Sequence, residues 1–389
     1  MMAVDAAQTT AATRRHRTVV FLVVVVFTAL VLGYYHDRFW WPPDEGIDAH
    51  VADRILDGEV LNLDVQDIHL GYHNFANALA LWLFGDDLVS LRYPLAAMGF
   101  LQSLLVFFLL VPRGTLVAAT SSVSVTALSL VQFLNPTANW YCLFLFIVIV
   151  CALDWLPRDA RWRLETLGFL VVTLLLFRQL TGVIVAIGVL TYLLCEAPRG
   201  AKGNDRLAAR ALVAVMAGGL GAYLLAKTSP LAIVIFGIWP LGVLAWAWFA
   251  AAVANRCVLR LIFRFGLGAA AAAAPLALYQ VLYGSLAIWF DDTVMAAMAL
   301  TELGFMERMS YGIFIDHGIR QIFALETVAG VINGLFWTAL TLVAMAHGFL
   351  VLRTLSRAGG TGPVLHPLPF LTVFYAVVSV QYQIPIYLF

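Results

Sequence analysis

The stretch that decides the fold reads TVVFLVVVVFTALVLGYY at residues 18–35 and then HDRFWWPPDEGIDAHVADRILDGE at residues 36–59. The first part has the length and apolarity of one transmembrane helix. The second part is rich in ionisable side chains and must emerge on one side of the bilayer. No convincing small-residue cleavage site separates the two parts, so we predict a retained signal-anchor helix.

The remainder of the chain repeats the apolar pattern. Of its 389 residues, 62% are hydrophobic and 12% are charged, and the mean hydropathy is +0.90. This composition predicts an all-α, polytopic integral membrane protein. At roughly 20 residues a crossing, about eleven transmembrane helices fit. They are predicted at residues 18–35, 89–111, 115–134, 139–156, 164–177, 181–196, 209–226, 231–252, 265–283, 323–350 and 364–386.

The charges are sorted between the two sides of the membrane, although the net charge is zero. Most Lys and Arg residues fall in alternate connections, which predicts that these connections and the N-terminus are cytoplasmic. Most acids then lie outside, chiefly in two long outer loops at residues 36–88 and 284–322. No basic patch stands on a folded soluble face, so nucleic acid is not expected as a partner.

The first outer loop is predicted to contain two juxtamembrane helices, and the second of these spans residues 74–84. In the first, Asp44 is placed as the N-cap and Gly58 ends the helix. Its apolar side chains recur every four residues and indicate a helix lying on the membrane: Ile47, Val51 and Ile55. Three acids are interpreted as its solvated side: Asp48, Asp53 and Asp57.

Several short motifs in this order resemble GT-C glycosyltransferases, in the branch of protein O-mannosyltransferases and aminoarabinose transferases. They are Asp44-Glu45-Gly46, ILDGE at residues 55–59, LWLFG at residues 81–85, Leu91-Arg92 and RQLTG at residues 178–182. The resemblance covers about the first 200 residues. It departs at His73-Asn74, where relatives often carry Pro-Pro, and this puts the details of the acceptor pocket in doubt.

The resemblance implies two modules: a catalytic transmembrane module at residues 1–226 and a variable one at residues 227–389. The chain ends within an apolar run at residues 383–389, so a truncation that removes further helices or a C-terminal domain is one expectation. The implied donor is a polyprenyl-phosphate sugar. Transfer of its sugar to a hydroxyl needs one base, because the leaving phosphate departs as a stable anion.

By the resemblance, Asp44 is that base and Glu45 orients the acceptor or a metal, with inversion at the anomeric carbon. The spacing alone favours a plain helix cap at Asp44, but capping does not exclude catalysis. The donor phosphate is expected to bind Arg178, which lies between two short apolar segments, and Arg92. The alternative for Arg178 is a structural arginine that snorkels to the interface.

Three residues of the outer loops are predicted to contact the sugar or the acceptor: His73, Trp289 and Asp291. For the aromatic residue the alternative is an interfacial belt. A divalent metal site that also includes Glu45 is compatible with the spacing of Asp67, His69 and His73. Spacing of this kind is more often that of hydrogen-bonded loop histidines, so no metal and no cofactor are predicted.

These features together predict a membrane glycosyltransferase that acts on the non-cytoplasmic face of a bacterial inner membrane. Its partners are a polyprenyl-phosphate-linked sugar donor, the lipid bilayer, and an acceptor that is a lipid, a polysaccharide or a protein. The alternatives are a transporter or flippase and a non-catalytic binder of lipid-linked sugars. A transporter would show ionisable groups near the midplane in repeated halves, whereas the acids here cluster in a surface loop.

Overall fold

A computed structural model describes residues 2–40, 42–129, 134–197, 203–300, 311–357 and 365–380. These residues form an all-helical protein with no β-strand among them. The chain divides into two compact units, Met1–Trp155 and Leu156–Phe389, and each is described by itself. The predicted module boundary at residue 226 concerns function rather than compactness and stays a prediction.

The first unit contains six α-helices. They are α1 (Met2–Tyr35), α2 (Pro42–Leu56), α3 (Tyr72–Phe84), α4 (Arg92–Leu110), α5 (Thr115–Ser129) and α6 (Ala138–Trp155). Short 3-10 turns at Leu88–Leu91 and Val111–Arg113 extend α4 at both ends. The valine-rich part of α1 is helical despite its β-branched side chains, as expected of a lipid-spanning segment, which must pair its own backbone groups.

The second unit contains the remaining helices. They are α7 (Arg163–Phe177), α8 (Gln179–Glu196), α9 (Leu207–Lys227), α10 (Pro230–Ala232), α11 (Ile238–Ala250), α12 (Asn255–Leu282), α13 (Leu286–Phe290), α14 (Ala297–Leu300), α15 (Tyr311–Ala324), α16 (Val328–Arg357) and α17 (Pro367–Tyr375). Two π-helices, Ile233–Gly237 and Asp291–Ala296, lie between α10 and α11 and between α13 and α14. The described parts of residues 284–322, predicted to be the second outer loop, are therefore largely helical.

Eight helices of the described residues are long and apolar enough to cross a membrane. They are Arg14–Tyr35, Leu88–Arg113, Ala138–Trp155, Gln179–Glu196, Gly203–Lys227, Pro230–Ala250, Asn255–Leu282 and Val328–Arg357. The multi-pass membrane class is thus confirmed, but the count of eleven is not. Helices also occupy the other three predicted segments, where α5, α7 and α17 are shorter. Residues 381–389, which carry the predicted chain-end truncation, lie outside the described residues.

The juxtamembrane helices α2 and α3 pack against each other. Ala52 of α2 forms a buried apolar cluster with Ala78 and Leu81 of α3 and with Leu91. Of the predicted membrane-lying face, Val51 is buried and Ile55 packs against this cluster, whereas Ile47 is 64% exposed. As predicted, α2 ends just before Gly58, whose φ of +92° is a conformation that glycine adopts without strain.

Helices α7 and α12 cross with almost no side chain between them. A Cβ at Gly168 of α7 would overlap the backbone carbonyl of Phe265, and a Cβ at Gly268 of α12 would overlap that of Glu165. Small residues allow helix backbones to approach this closely in membranes. Beside the crossing, Arg264 pairs with Glu165 at 2.5 Å.

We expect Gly268→Ala to destabilise the protein, because the overlapping atom belongs to the backbone and the helices must separate to admit a methyl group. Overpacking of this kind costs about 1–3 kcal/mol. Gly266→Ala is the matched control, since a Cβ at Gly266 meets nothing within 4 Å. Thermal unfolding in detergent should rank Gly268→Ala below wild type and Gly266→Ala at or above it. Equal midpoints for the two variants would contradict the close crossing.

Candidate functional site

A buried ion pair anchors the segment that connects α1 to α4 in the first unit. Glu45, in the first turn of α2, accepts hydrogen bonds from Nε of Arg92 at 2.8 Å and from its Nη2. Neither side chain is exposed by more than 1%. The pair therefore joins the start of α2 to the start of α4.

The remaining N–H groups of Arg92 bind the connection between α1 and α2. Nη1 donates to the carbonyls of His36 at 3.1 Å and Arg38 at 2.7 Å, and Nη2 donates to that of Phe39 at 3.3 Å. The guanidinium carbon also lies 3.7 Å from the centre of the Trp40 ring. All five N–H donors are thus engaged. Arg92 therefore holds the connection between α1 and α4 together, and its predicted phosphate contact stays a prediction.

Asp44 lies beside this pair but differs from it in exposure. Helix α2 begins at Pro42, so Asp44 occupies the first turn and not the predicted N-cap position. Its side chain is exposed, and among the described residues no hydrogen bond or ion pair engages it. Its surroundings still remove part of its water, which raises the pKa of the Asp44 carboxyl above its ordinary value.

Asp48 is buried, contrary to the prediction of a solvated position. It lies one turn after Asp44 and is only 8% exposed. Burial first, and then the nearby charges of Asp67, Asp44 and Glu45 in that order, raise the pKa of Asp48 to about 8. The acids of this loop therefore form one electrostatically coupled group rather than a solvated helix face.

His73 lies in the interior of the first unit and is fully buried. Its Nε2 is 2.5 Å from the carbonyl oxygen of Pro136. The side chain of Asn77 donates to the same carbonyl at 3.2 Å and accepts from the hydroxyl of Tyr141 at 3.1 Å. With no exposed surface, His73 has no place for the sugar or acceptor contact predicted from the sequence.

The loop before α3 places Asp67 and His69 next to His73. Asp67 Oδ1 accepts from the backbone N–H of Ile68 at 2.7 Å, and Oδ2 accepts from the side chain of Asn74 at 2.5 Å. His69 Nδ1 is 3.1 Å from both carboxylate oxygens. Although burial acts to raise it, the hydrogen bond and charge of His69, with the Asn74 bond, hold the pKa of Asp67 below its ordinary value.

The second unit contains the other predicted residues. Arg178 has extended backbone, with φ −153° and ψ 115°, and separates α7 from α8 as the short apolar segments predict. The adjacent Gln179 donates a hydrogen bond to the carbonyl of Thr293 at 3.1 Å. Trp289 and Asp291, which precede Thr293, line a pocket of about 770 Å³. The Arg178 turn and the predicted sugar-binding segment therefore belong to the same side of this unit.

Three residues of the first-unit site were not predicted from the sequence: Asp48 as a buried group, Asn77 and Tyr141. Asn77 follows His73 by four residues, so the helical period places both on one face of α3. That spacing was a usable signal for Asn77. No comparable signal exists for Tyr141, since its contact with Asn77 joins residues 64 positions apart.

Comparisons with known proteins neither support nor contradict the resemblance seen in the sequence. No protein-family model matches the chain, and neither the curated proteins nor the solved structures contain a match to it.

Proposed function

We propose that the chain is a membrane glycosyltransferase that moves a sugar from a polyprenyl-phosphate donor to an acceptor hydroxyl. The multi-pass helical architecture supports the proposal, because a donor with a polyprenyl tail is confined to the bilayer. The motifs that resemble GT-C glycosyltransferases supply the reaction class. The sorting of charges supports an outer location for the site, and we propose a bacterial inner membrane.

The observation that carries the proposal is the state of Asp44. Its carboxyl is exposed and without a partner among the described residues, whereas its neighbour Glu45 is buried against Arg92. The pair of Glu45 and Arg92 fixes the start of α2. Asp44, in the same turn, is therefore held in place at the outer end of two spans. A positioned carboxyl with a raised pKa is suited to general-base work.

In the proposed reaction, the bond between the anomeric carbon and the donor phosphate oxygen breaks as the acceptor oxygen attacks from the opposite face. The acceptor's proton passes to Asp44, and the bonding electrons leave with the polyprenyl phosphate. The product is therefore inverted at the anomeric carbon. Glu45 and Arg92 position Asp44, and Arg178 keeps its proposed role as a phosphate ligand.

The proposal is tested by donor turnover. Purified wild-type protein in lipid nanodiscs should release polyprenyl phosphate from one member of a panel of polyprenyl-phosphate sugars, with envelope extract as the acceptor source. Release should require the extract, because the hydroxyl that attacks the sugar comes from it. Heat-inactivated protein is the control. If no donor of the panel is turned over, transport or binding of lipid-linked sugars becomes the favoured function instead of sugar transfer.

A further inference from the structure

We propose that Asp67, His69 and His73 form a binding site for a first-row divalent metal ion, with Zn²⁺ as the ion that it fits best. Each of the three side chains offers one ligand atom, and these atoms lie within 4.8 Å of one another. The site goes beyond the proposed transferase function and does not depend on it. It also departs from the sequence-based expectation of ordinary hydrogen-bonded histidines.

The hydrogen bonding of His73 gives the first argument. A carbonyl oxygen only accepts, so the 2.5 Å contact with Pro136 requires that Nε2 carries the proton. Nδ1 of a neutral imidazole then carries the lone pair. That nitrogen is buried and has no hydrogen-bond partner. Metal-binding histidines are held in the same way, with the second ring N–H donated to a carbonyl or carboxylate.

The cost of this arrangement gives the second argument. A buried polar atom without a partner costs about 1–3 kcal/mol, so native proteins rarely leave one unsatisfied. A metal ion at Nδ1 would satisfy the orphaned nitrogen.

The surroundings of Asp67 give the third argument. Its carboxylate is held by the side chain of Asn74 and the backbone of Ile68, as ligating carboxylates usually are. Its neighbour Asp48 is also buried, and Glu45 is already paired with Arg92. A divalent cation at Asp67 would balance negative charge that Arg92 does not reach.

The chemistry of the ligands selects the class of metal. Two imidazoles and one carboxylate favour Zn²⁺ and similar transition metals over Mg²⁺ and Ca²⁺, which prefer oxygen ligands. Zinc binds nitrogen at about 2.0–2.1 Å, so the three side chains must draw closer around the ion. His69 and Asp67 lie in the loop before α3, whose side chains would have to make this adjustment. Three protein ligands leave one coordination position open.

The test is direct metal binding by the full chain in detergent. After treatment with EDTA and its removal, wild-type protein should bind one equivalent of Zn²⁺ by calorimetry. Co²⁺ should bind at the same site and give visible absorption bands that Zn²⁺ displaces. His69→Ala should weaken Zn²⁺ binding at least 100-fold, and Asn74→Ala about 10-fold, the range expected for groups that orient a ligand.

His50→Ala is the matched control, because His50 is an exposed histidine of α2 outside the cluster. It should leave Zn²⁺ affinity unchanged. His69 is partly exposed, with 29% of its side chain accessible, so its replacement should not unfold the protein. Thermal unfolding without metal checks this for each variant. No binding by folded wild type, or equal affinity for wild type and folded His69→Ala, would overturn the proposal.

Discussion

Asp44→Asn is expected to lower the release of polyprenyl phosphate by about 10²–10⁴-fold, the usual contribution of a general base. Asparagine has nearly the same shape but takes no proton from the acceptor hydroxyl. The fold should not suffer, because the Asp44 side chain is exposed and makes no hydrogen bond or ion pair with described residues. The thermal midpoint of the variant should therefore lie close to that of wild type.

The control for this prediction comes from the same helix. Asp53 is also an exposed carboxylate of α2, so Asp53→Asn removes an equal charge without touching the proposed base. It should keep wild-type turnover. If folded Asp44→Asn also turned over the donor at the wild-type rate, Asp44 would serve only the dipole of its helix. Donor release by both wild type and Asp44→Asn would then require a different base.

Arg92→Met should destabilise the protein strongly, and by more than Gly268→Ala does. It leaves the Glu45 carboxylate buried without a cation, and breaking one side of a buried ion pair costs about 3–5 kcal/mol. The carbonyls of His36, Arg38 and Phe39 lose their donors as well. Chemical unfolding in detergent measures the loss. The same variant should expose the connection between α1 and α2 to proteolysis.

A double-mutant cycle separates the ion pair from the other contacts of Arg92. Adding Glu45→Gln to Arg92→Met removes the stranded charge, so the double variant should recover part of the lost stability. Full recovery is not expected, since the three carbonyls remain without Arg92. Arg113→Met is the matched control at the exposed end of the same span and should fall within about 0.5 kcal/mol of wild type. Equal effects at the two arginines would contradict the buried pair.

The sequence contained enough information to locate the helices but not the face that each one buries. Apolarity predicted the spans, and Gly58 predicted where α2 ends. The four-residue spacing of Ile47, Val51 and Ile55 predicted a membrane-lying face for α2, yet Val51 is buried and Ile55 packs against the Ala52 cluster. Helix α3 covers a face centred on Ala52, and a methyl group gives a weak hydrophobic signal in a sequence.

The candidate site was predictable in its residue types but not in their pairing. The exposed acid Asp44 stands out beside a span. That Glu45 is neutralised by Arg92, 47 residues later, is information held only by the tertiary structure. The carbonyl that sets the tautomer of His73 lies 63 residues away at Pro136. From local spacing, hydrogen-bonded loop histidines were the expected interpretation. The buried Nδ1 of His73 without a partner depends on tertiary contacts that the sequence does not show.

The crossing of α7 and α12 also restricts rotation. Turning α7 by one residue, about 100°, would bring the side chain of Leu167 or Phe169 into the gap that Gly168 leaves open. The helix is thus locked about its own axis. Arg178 follows ten residues after Gly168, a rise of about 15 Å along the helix. The direction in which the chain leaves α7 at Arg178 is therefore set about 15 Å away, where Gly168 meets α12.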